Sequence, residues 1–389
     1  MLEKLDNINW AELKHAYGSA YQVPTWIRNL VTYDSKIIED TLFKLKNHLH
    51  HQGTIYEATV ATIPFLIELL TIENVECKPS ILSFLRELSY RYYSNAAFDS
   101  IWSWNSLASQ EVSKGREIYM KLLNHSDHKV RLHAVLILSN APRFDNVYAK
   151  EIFDAMKNTF AEETKEIVKA ALITGFGNLA VGYRSQLIDQ LVDITQVIKR
   201  FQNNEANHNL SLVALLALPK LMLDQISQET IDALVSIVLV PPMRYVPAAF
   251  GSPDLLAVKS LYYIDEERRL EAMQAAMSRI DDGLMQSAMP RIDDGFRALL
   301  IASALLDWTF LNRGPILPNY DIDIGKDTKS YKYFVLIKKN DINHLTELQR
   351  RVVKAIIEVD SVWIHQHNLF ETYGFTASRD ELRHLLNSD

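Results

Sequence analysis

Apolar positions recur with a helical period through most of the chain. Trp10, Leu13 and Tyr17 fall at i, i+3 and i+7 with Gly18 behind them, a spacing that predicts a short capping helix. Pro24 to Val31 predicts the first helix of a pair. Asp34-Ser35 then interrupts and caps a second helix, whose apolar face is Ile37, Ile38, Leu42 and Leu45. Pro64 to Leu70 repeats the first helix 40 residues after Pro24, with the proline expected in the first turn, where its missing N–H costs nothing. A two-helix unit of about 40 residues is the signature of a stacked helical repeat.

The pattern continues. Leu122-Leu123 ends one helix, and Asp127 caps the next, which runs Val130-Arg131 through Ala134 to Leu138. Ile152–Met156 pairs with Ile167–Leu179, and Leu187–Ile198 with Leu210–Leu221. Phe176-Gly177-Asn178 reads as a helix break. Ile231–Val240 runs into Pro241-Pro242 and Pro247, which predicts a loop, and Leu255–Tyr263 and Arg268–Met277 are again helical. Ala276–Gly283 is duplicated at Ala288–Gly295 with one substitution in eight positions, a short tandem insertion. Residues 312–345 are polar and punctuated by Gly and Pro, an irregular linker. From Thr346 the chain is helical, with Ser378 and Glu381 forming a capping box for the last helix. The predicted organisation is an all-α, right-handed α-solenoid over residues 1–311 with its N-terminal capping helix, a linker over 312–345, and a helical C-terminal cap over 346–389.

Composition narrows the function classes. The chain has 389 residues, 48% hydrophobic, with 12 glycines and 12 prolines, which favours helices over turn-rich sheet. The net charge of −7 argues against a general nucleic-acid binder. Between Asp224 and Glu267 the acids are Asp224, Glu229, Asp232, Asp254, Asp265, Glu266 and Glu267, against Arg244 and Lys259. This acidic stretch either attracts a basic partner or is a solvated face; Asp254, Glu266 and Glu267 are its candidate binding residues. The single cysteine, Cys77, rules out an internal disulfide and suits a reducing, cytoplasmic compartment. No apolar run is long enough to span a membrane.

The densest polar chemistry lies between the first two helical pairs, His50-His51-Gln52-Gly53-Thr54-Ile55-Tyr56-Glu57-Ala58-Thr59. His48, His50, His51 and Glu57 invite a metal reading, but a closed site would want cysteines and none is near. The expected role is an inter-repeat joint in which His51, Gln52, Tyr56 and Glu57 satisfy exposed helix ends, with no metal and no cofactor. The aromatic segment holding Tyr92, Tyr93, Trp102 and Trp104 is the one region where rings and a base, Arg91, cluster. It either packs on the repeats or lines a binding face. No phosphate loop, nucleophile elbow, His-Glu-x-x-His helix or Cys-x-x-Cys pair is present, so no catalytic residue is assigned.

Segment 122–138 resembles the HEAT-repeat consensus, in which an Asp and an Arg link neighbouring turns and helices; the resemblance implies that inter-repeat structural part for Asp127 and Arg131. Trp10, Leu13, His15–Gly18, Val23-Pro24, His51–Thr54, Tyr56–Thr59 and Pro64–Leu66 are similar to the N-terminal pattern of a bacterial HEAT-repeat family, and Leu348–Arg350 with Arg379–Leu386 to its end. That resemblance implies a solenoid with a long concave face. The expectation is a non-enzymatic protein-binding scaffold, of the immunity or antitoxin kind, whose partner is a basic toxin or effector. The alternative is a HEAT-fold nucleic-acid-binding protein or glycosylase-like enzyme using residues 90–104.

Overall fold

The computed structural model describes residues 2–89, 99–139, 148–202, 208–240, 253–281, 302, 304–306, 345–360, 363 and 378–386, with the side chains of 99–103, 277–281 and 385 not described. The chain is mostly helical and divides into two compact units, Met1–Phe201 and Gln202–Asp389.

The first unit opens with a departure from the helical pattern. Residues 10–19 form a hairpin, β1 (Lys14–His15) with β2 (Gly18–Ser19), where a capping helix was expected. Gly18 sits at φ +117°, a conformation that closes a tight turn and cannot continue a helix. Trp10 is itself in no helix yet is buried: its indole N–H donates to the Leu5 carbonyl (2.8 Å) and its ring lies 6.1 Å from Phe65. Tyr17, expected on the same apolar face, is 62% exposed.

α1 (Val23–Asn29) and α2 (Ser35–Leu49) follow and pack together. Asp34 caps α2 by accepting the Lys36 and Ile37 N–H groups. A second hairpin, β3 (His50–His51) with β4 (Thr54–Ile55), joins α2 to α3 (Glu57–Leu70). Its two-residue turn places Gln52 at φ 49° and Gly53 at φ 82°, both in the left-handed region, as a primed turn requires. α3 begins at Glu57, so Pro64 is mid-helix and exposed, not in the first turn. The Thr59 hydroxyl sets this start: it accepts the Tyr56 N–H (3.1 Å) and donates to the Leu49 carbonyl at the end of α2. α4 (Lys78–Ser89) packs on α3. α5 (Asp99–Ser113) lies against α3, α4 and β4. Then come α6 (Arg116–Leu122), α7 (His128–Leu138), α8 (Ala149–Glu162) and α9 (Glu166–Gln202). α9 is two helices run together, bent at Tyr183 (φ −138°, ψ 26°); Gly177, expected at a break, lies inside the first half.

In the second unit, α10 (His208–Met222) packs on α12 (Pro253–Leu261), and α11 (Gln228–Leu239) packs on both α12 and α13 (Glu266–Asp281). α10 and α11 thus each meet the helix after next as well as their neighbour. α14 (Glu347–Ile357) starts at Thr346, whose hydroxyl and the Gln349 side chain form a reciprocal capping box. Ser378 caps α15 (Arg379–Leu386) through the Glu381 N–H (3.3 Å). Arg383 pairs with Glu358 (2.7 Å), tying α15 to α14. The predicted loop at 241–247, the second copy of the duplicated segment, the linker at 312–344, and His365 and His367 lie outside the described residues.

Candidate functional site

Strand alternation organises the chemistry around β3. His51 faces the first hairpin and His50 faces α4, so two adjacent histidines serve two different environments.

On the first side the two hairpins close on one another. The Ala16 N–H donates to the His48 carbonyl (2.9 Å), and His48 sits among three rings: Tyr17 and Trp26, each at 4.8 Å between centroids, and His15 at 4.9 Å. His51 completes the group against Tyr17, with its Nδ1 3.3 Å from the phenol oxygen. Backbone partners settle two tautomers. The Tyr17 N–H donates to His15 Nδ1 (3.0 Å), so the proton of neutral His15 is on Nε2. His48 Nδ1 faces the Lys44 carbonyl (2.8 Å) and must carry a proton. His15 is buried, and desolvation, helped by the charge of His48, lowers its pKa. The rings pack against each other face and edge, a filled cluster and not an open cage. Among the described residues no group of three or more His, Cys, Asp or Glu side chains is placed to hold a metal ion.

On the second side a row of ionisable groups crosses α2, α4 and α7. Lys46 pairs with Glu87 (3.0 Å), which also lies 3.5 Å from the Ser83 hydroxyl. His50 has its pKa lowered by burial, against the opposing pull of Glu87. Burial, then the positive charges of Arg86 and Lys46, push His133 down to about 4, and its buried Nδ1 has no hydrogen-bond partner among the described residues. His133 is therefore neutral at pH 7. The row presents cations, a carboxylate and neutral imidazoles on neighbouring helices, a surface suited to recognition by charge and hydrogen bonding.

The remaining candidates are dispersed. Gln52 is exposed in the left-handed turn, Tyr56 is the N-cap residue of α3, and Glu57 is its first residue. Asp127 caps α7 through the Lys129 N–H (2.8 Å). Arg131 donates to the His125 and Ser126 carbonyls (2.8 and 2.9 Å) and grips Glu163 after α8 through two bonds (2.8 and 2.9 Å). Burial alone would raise the pKa of Glu163, but these bonds, the guanidinium charge and the Lys165 and Thr164 N–H groups carry it below the usual carboxylate value. Trp104 is half-buried on α5; the Trp102 side chain, Tyr92 and Tyr93 lie outside the described residues.

The acidic stretch shows less free charge than its composition implies. Asp254 is buried and accepts the Leu255 N–H (2.9 Å). Asp265 is bonded to Arg268, which reaches on to the Ile226 and Asp224 carbonyls (2.8 and 2.7 Å). Glu266 and Glu267 are exposed at the start of α13, with Glu267 3.9 Å from Arg351. No helix among the described residues is long and apolar enough to cross a membrane.

Lys46, Arg86, Glu87 and His133 carry no local motif. Their one trace in sequence is spacing: Lys46 and Glu87 are 41 residues apart, close to the repeat period. No family model and no curated protein matches the chain.

Proposed function

We propose that this chain is a helical-repeat scaffold of the HEAT type, a right-handed solenoid, that binds another protein along the face formed by α2, α4 and α7. Support for the stacking comes from bonds that recur at separations of 41 to 47 residues. Lys46 to Glu87 spans 41 residues, Cys77 to the Leu30 carbonyl 47, Ser260 to the Leu216 carbonyl 44, and Arg268 to the Ile226 and Asp224 carbonyls 42 and 44. Helical pairs laid one on the next produce that register. The carrying observation for binding is the row of Lys46, Glu87, His50, Arg86 and His133. These groups stand on neighbouring elements at a partly exposed surface, where a protein partner can meet them by charge and hydrogen bonding.

In the narrower form of this reading the partner is a basic toxin or effector that the scaffold neutralises. The net charge of −7 supports it; the exposed Asp224, Glu229, Asp232 and Glu266 belong to the second unit and are not part of the α2–α4–α7 row.

The test is a photo-reactive amino acid at Ser83, inside the row, and at Asp40, exposed on α2, in cells of the source organism. The expected result is one protein crosslinked from Ser83 and absent from Asp40, with the crosslink lost on adding Glu87→Lys. Crosslinking to nucleic acid alone, or equal crosslinking at both positions, overturns the proposal.

A further inference from the structure

Two arginines in the first unit stand at the same register and end differently. Arg131, near the start of α7, is bonded on every nitrogen: to the His125 and Ser126 carbonyls and to the Glu163 carboxylate, 32 residues on. Arg116, the first residue of α6, meets Tyr148, the residue ahead of α8, at that same separation. Its partner there is a ring and not a carboxylate. The guanidinium carbon lies 3.1 Å from the Tyr148 centroid.

Arg116 donates no hydrogen bond among the described residues, and its Nε is buried without an acceptor. The nearest carboxylate, Glu117, is 3.9 Å from Nη2, on a side chain that is 74% exposed. The base of the arginine is fixed from below. The buried Tyr119 hydroxyl donates to the Val112 carbonyl (2.9 Å), and Gly115 leaves no room for a side chain against the Tyr119 ring. A buried N–H without an acceptor costs free energy, and a joint that needed only packing would be as well served by an apolar side chain. The guanidinium is thus positioned by stacking, with its hydrogen-bonding capacity unspent.

We infer that Arg116 and Tyr148 form a carboxylate site between the starts of α6 and α8, which takes an Asp or Glu side chain of a partner protein. The ring presets the plane of the guanidinium, and the carboxylate meets its Nη edge through two parallel bonds. One guanidinium with Glu117 beside it balances a single negative charge, which suits a carboxylate and not a phosphate dianion. A lone fork at a partly exposed position gives a small free acid little surface to bury, so the acid belongs to a protein segment. The site uses none of the residues of the α2–α4–α7 row.

The test is residue-resolved modification of arginines in the full chain by a dicarbonyl reagent, read by mass spectrometry. It is run with hexaglutamate, hexaglutamine or inorganic phosphate at matched ionic strength, with Arg131 as the internal reference. Without peptide, Arg116 is expected to react faster than Arg131. Hexaglutamate slows Arg116 roughly threefold at twice the dissociation constant read from the same titration and leaves Arg131 unchanged. Tyr148→Leu abolishes this protection and Tyr148→Phe keeps it, which separates loss of the ring from loss of the fold. Equal rates at Arg116 in hexaglutamate and hexaglutamine overturn the site. Protection by phosphate as strong as that by hexaglutamate overturns it too, in favour of a general oxyanion surface.

Discussion

Two joints between helical elements in the first unit do the same mechanical work with different physics. The joint at β3–β4 is made of backbone pairing and rings: two short hairpins, the Ala16-to-His48 bond, and His15, Tyr17, Trp26, His48 and His51 in contact. The joint at α7 is made of charge: Asp127 as cap, and Arg131 bonded at once to the preceding turn and to a Glu163 side chain that is 1% exposed. Both use one shared device, a histidine Nδ1 accepting the N–H two residues on, His15 from Tyr17 and His125 from Asp127. The ring joint depends on the His15 imidazole staying neutral. The charged joint depends on a carboxylate staying ionised.

The largest effect is expected at the charged joint. Arg131→Met strands the buried Glu163 carboxylate and costs about 3 kcal/mol in denaturant unfolding. Because Glu163 titrates below its ordinary value in the folded chain, its contribution is full above the unfolded pKa and is lost as pH falls through the folded one. The variant flattens that acid limb; a loss under 1 kcal/mol would mean that Arg131 is solvent-paired. The largest neutral-to-acid change belongs to His133. With a folded pKa near 4 against an ordinary 6.5, it binds protons more weakly folded than unfolded, so stability drops as pH falls from about 6.5 toward 4. His133→Leu is expected to reduce that slope, read from thermal midpoints across the range.

Smaller effects probe the ring joint. Gly53→Ala forces a side chain into a left-handed turn position and is expected to cost about 1 kcal/mol. An unchanged midpoint would show that the turn is not strained by a Cβ. Tyr17→Phe removes only the phenol contact to His51 at an exposed site, and a loss of roughly 0.5 kcal/mol or less is expected.

Helices were legible in the sequence wherever an apolar face had to meet a core, as at Ile38 and Leu45 or Val130 to Leu138. So were the caps at Asp34, Asp127 and Ser378, because a cap is a local bond to the next few N–H groups. The N-terminal hairpin was not. Trp10, Leu13 and Tyr17 share a helical spacing by coincidence, and Gly18 reads equally as a helix stop or a hairpin turn. Pro64 misled for a related reason: a proline marks a helix start only when no earlier cap exists, and Thr59 supplies one by bonding to Leu49. The row of Lys46, Arg86, Glu87 and His133 was illegible because it exists only across helices, with nothing local to announce it.

The contrast between the joints is tested most directly by hydrogen exchange of three amides at pH 7.5 in the wild-type chain and in His15→Leu. The substitution removes the imidazole acceptor of the Tyr17 N–H. Protection factors at Tyr17 and Ala16 then fall in the variant, while Lys129, held by the Asp127 side chain, keeps its protection. Unchanged protection at Tyr17 and Ala16, or an equal fall at Lys129, would contradict the account.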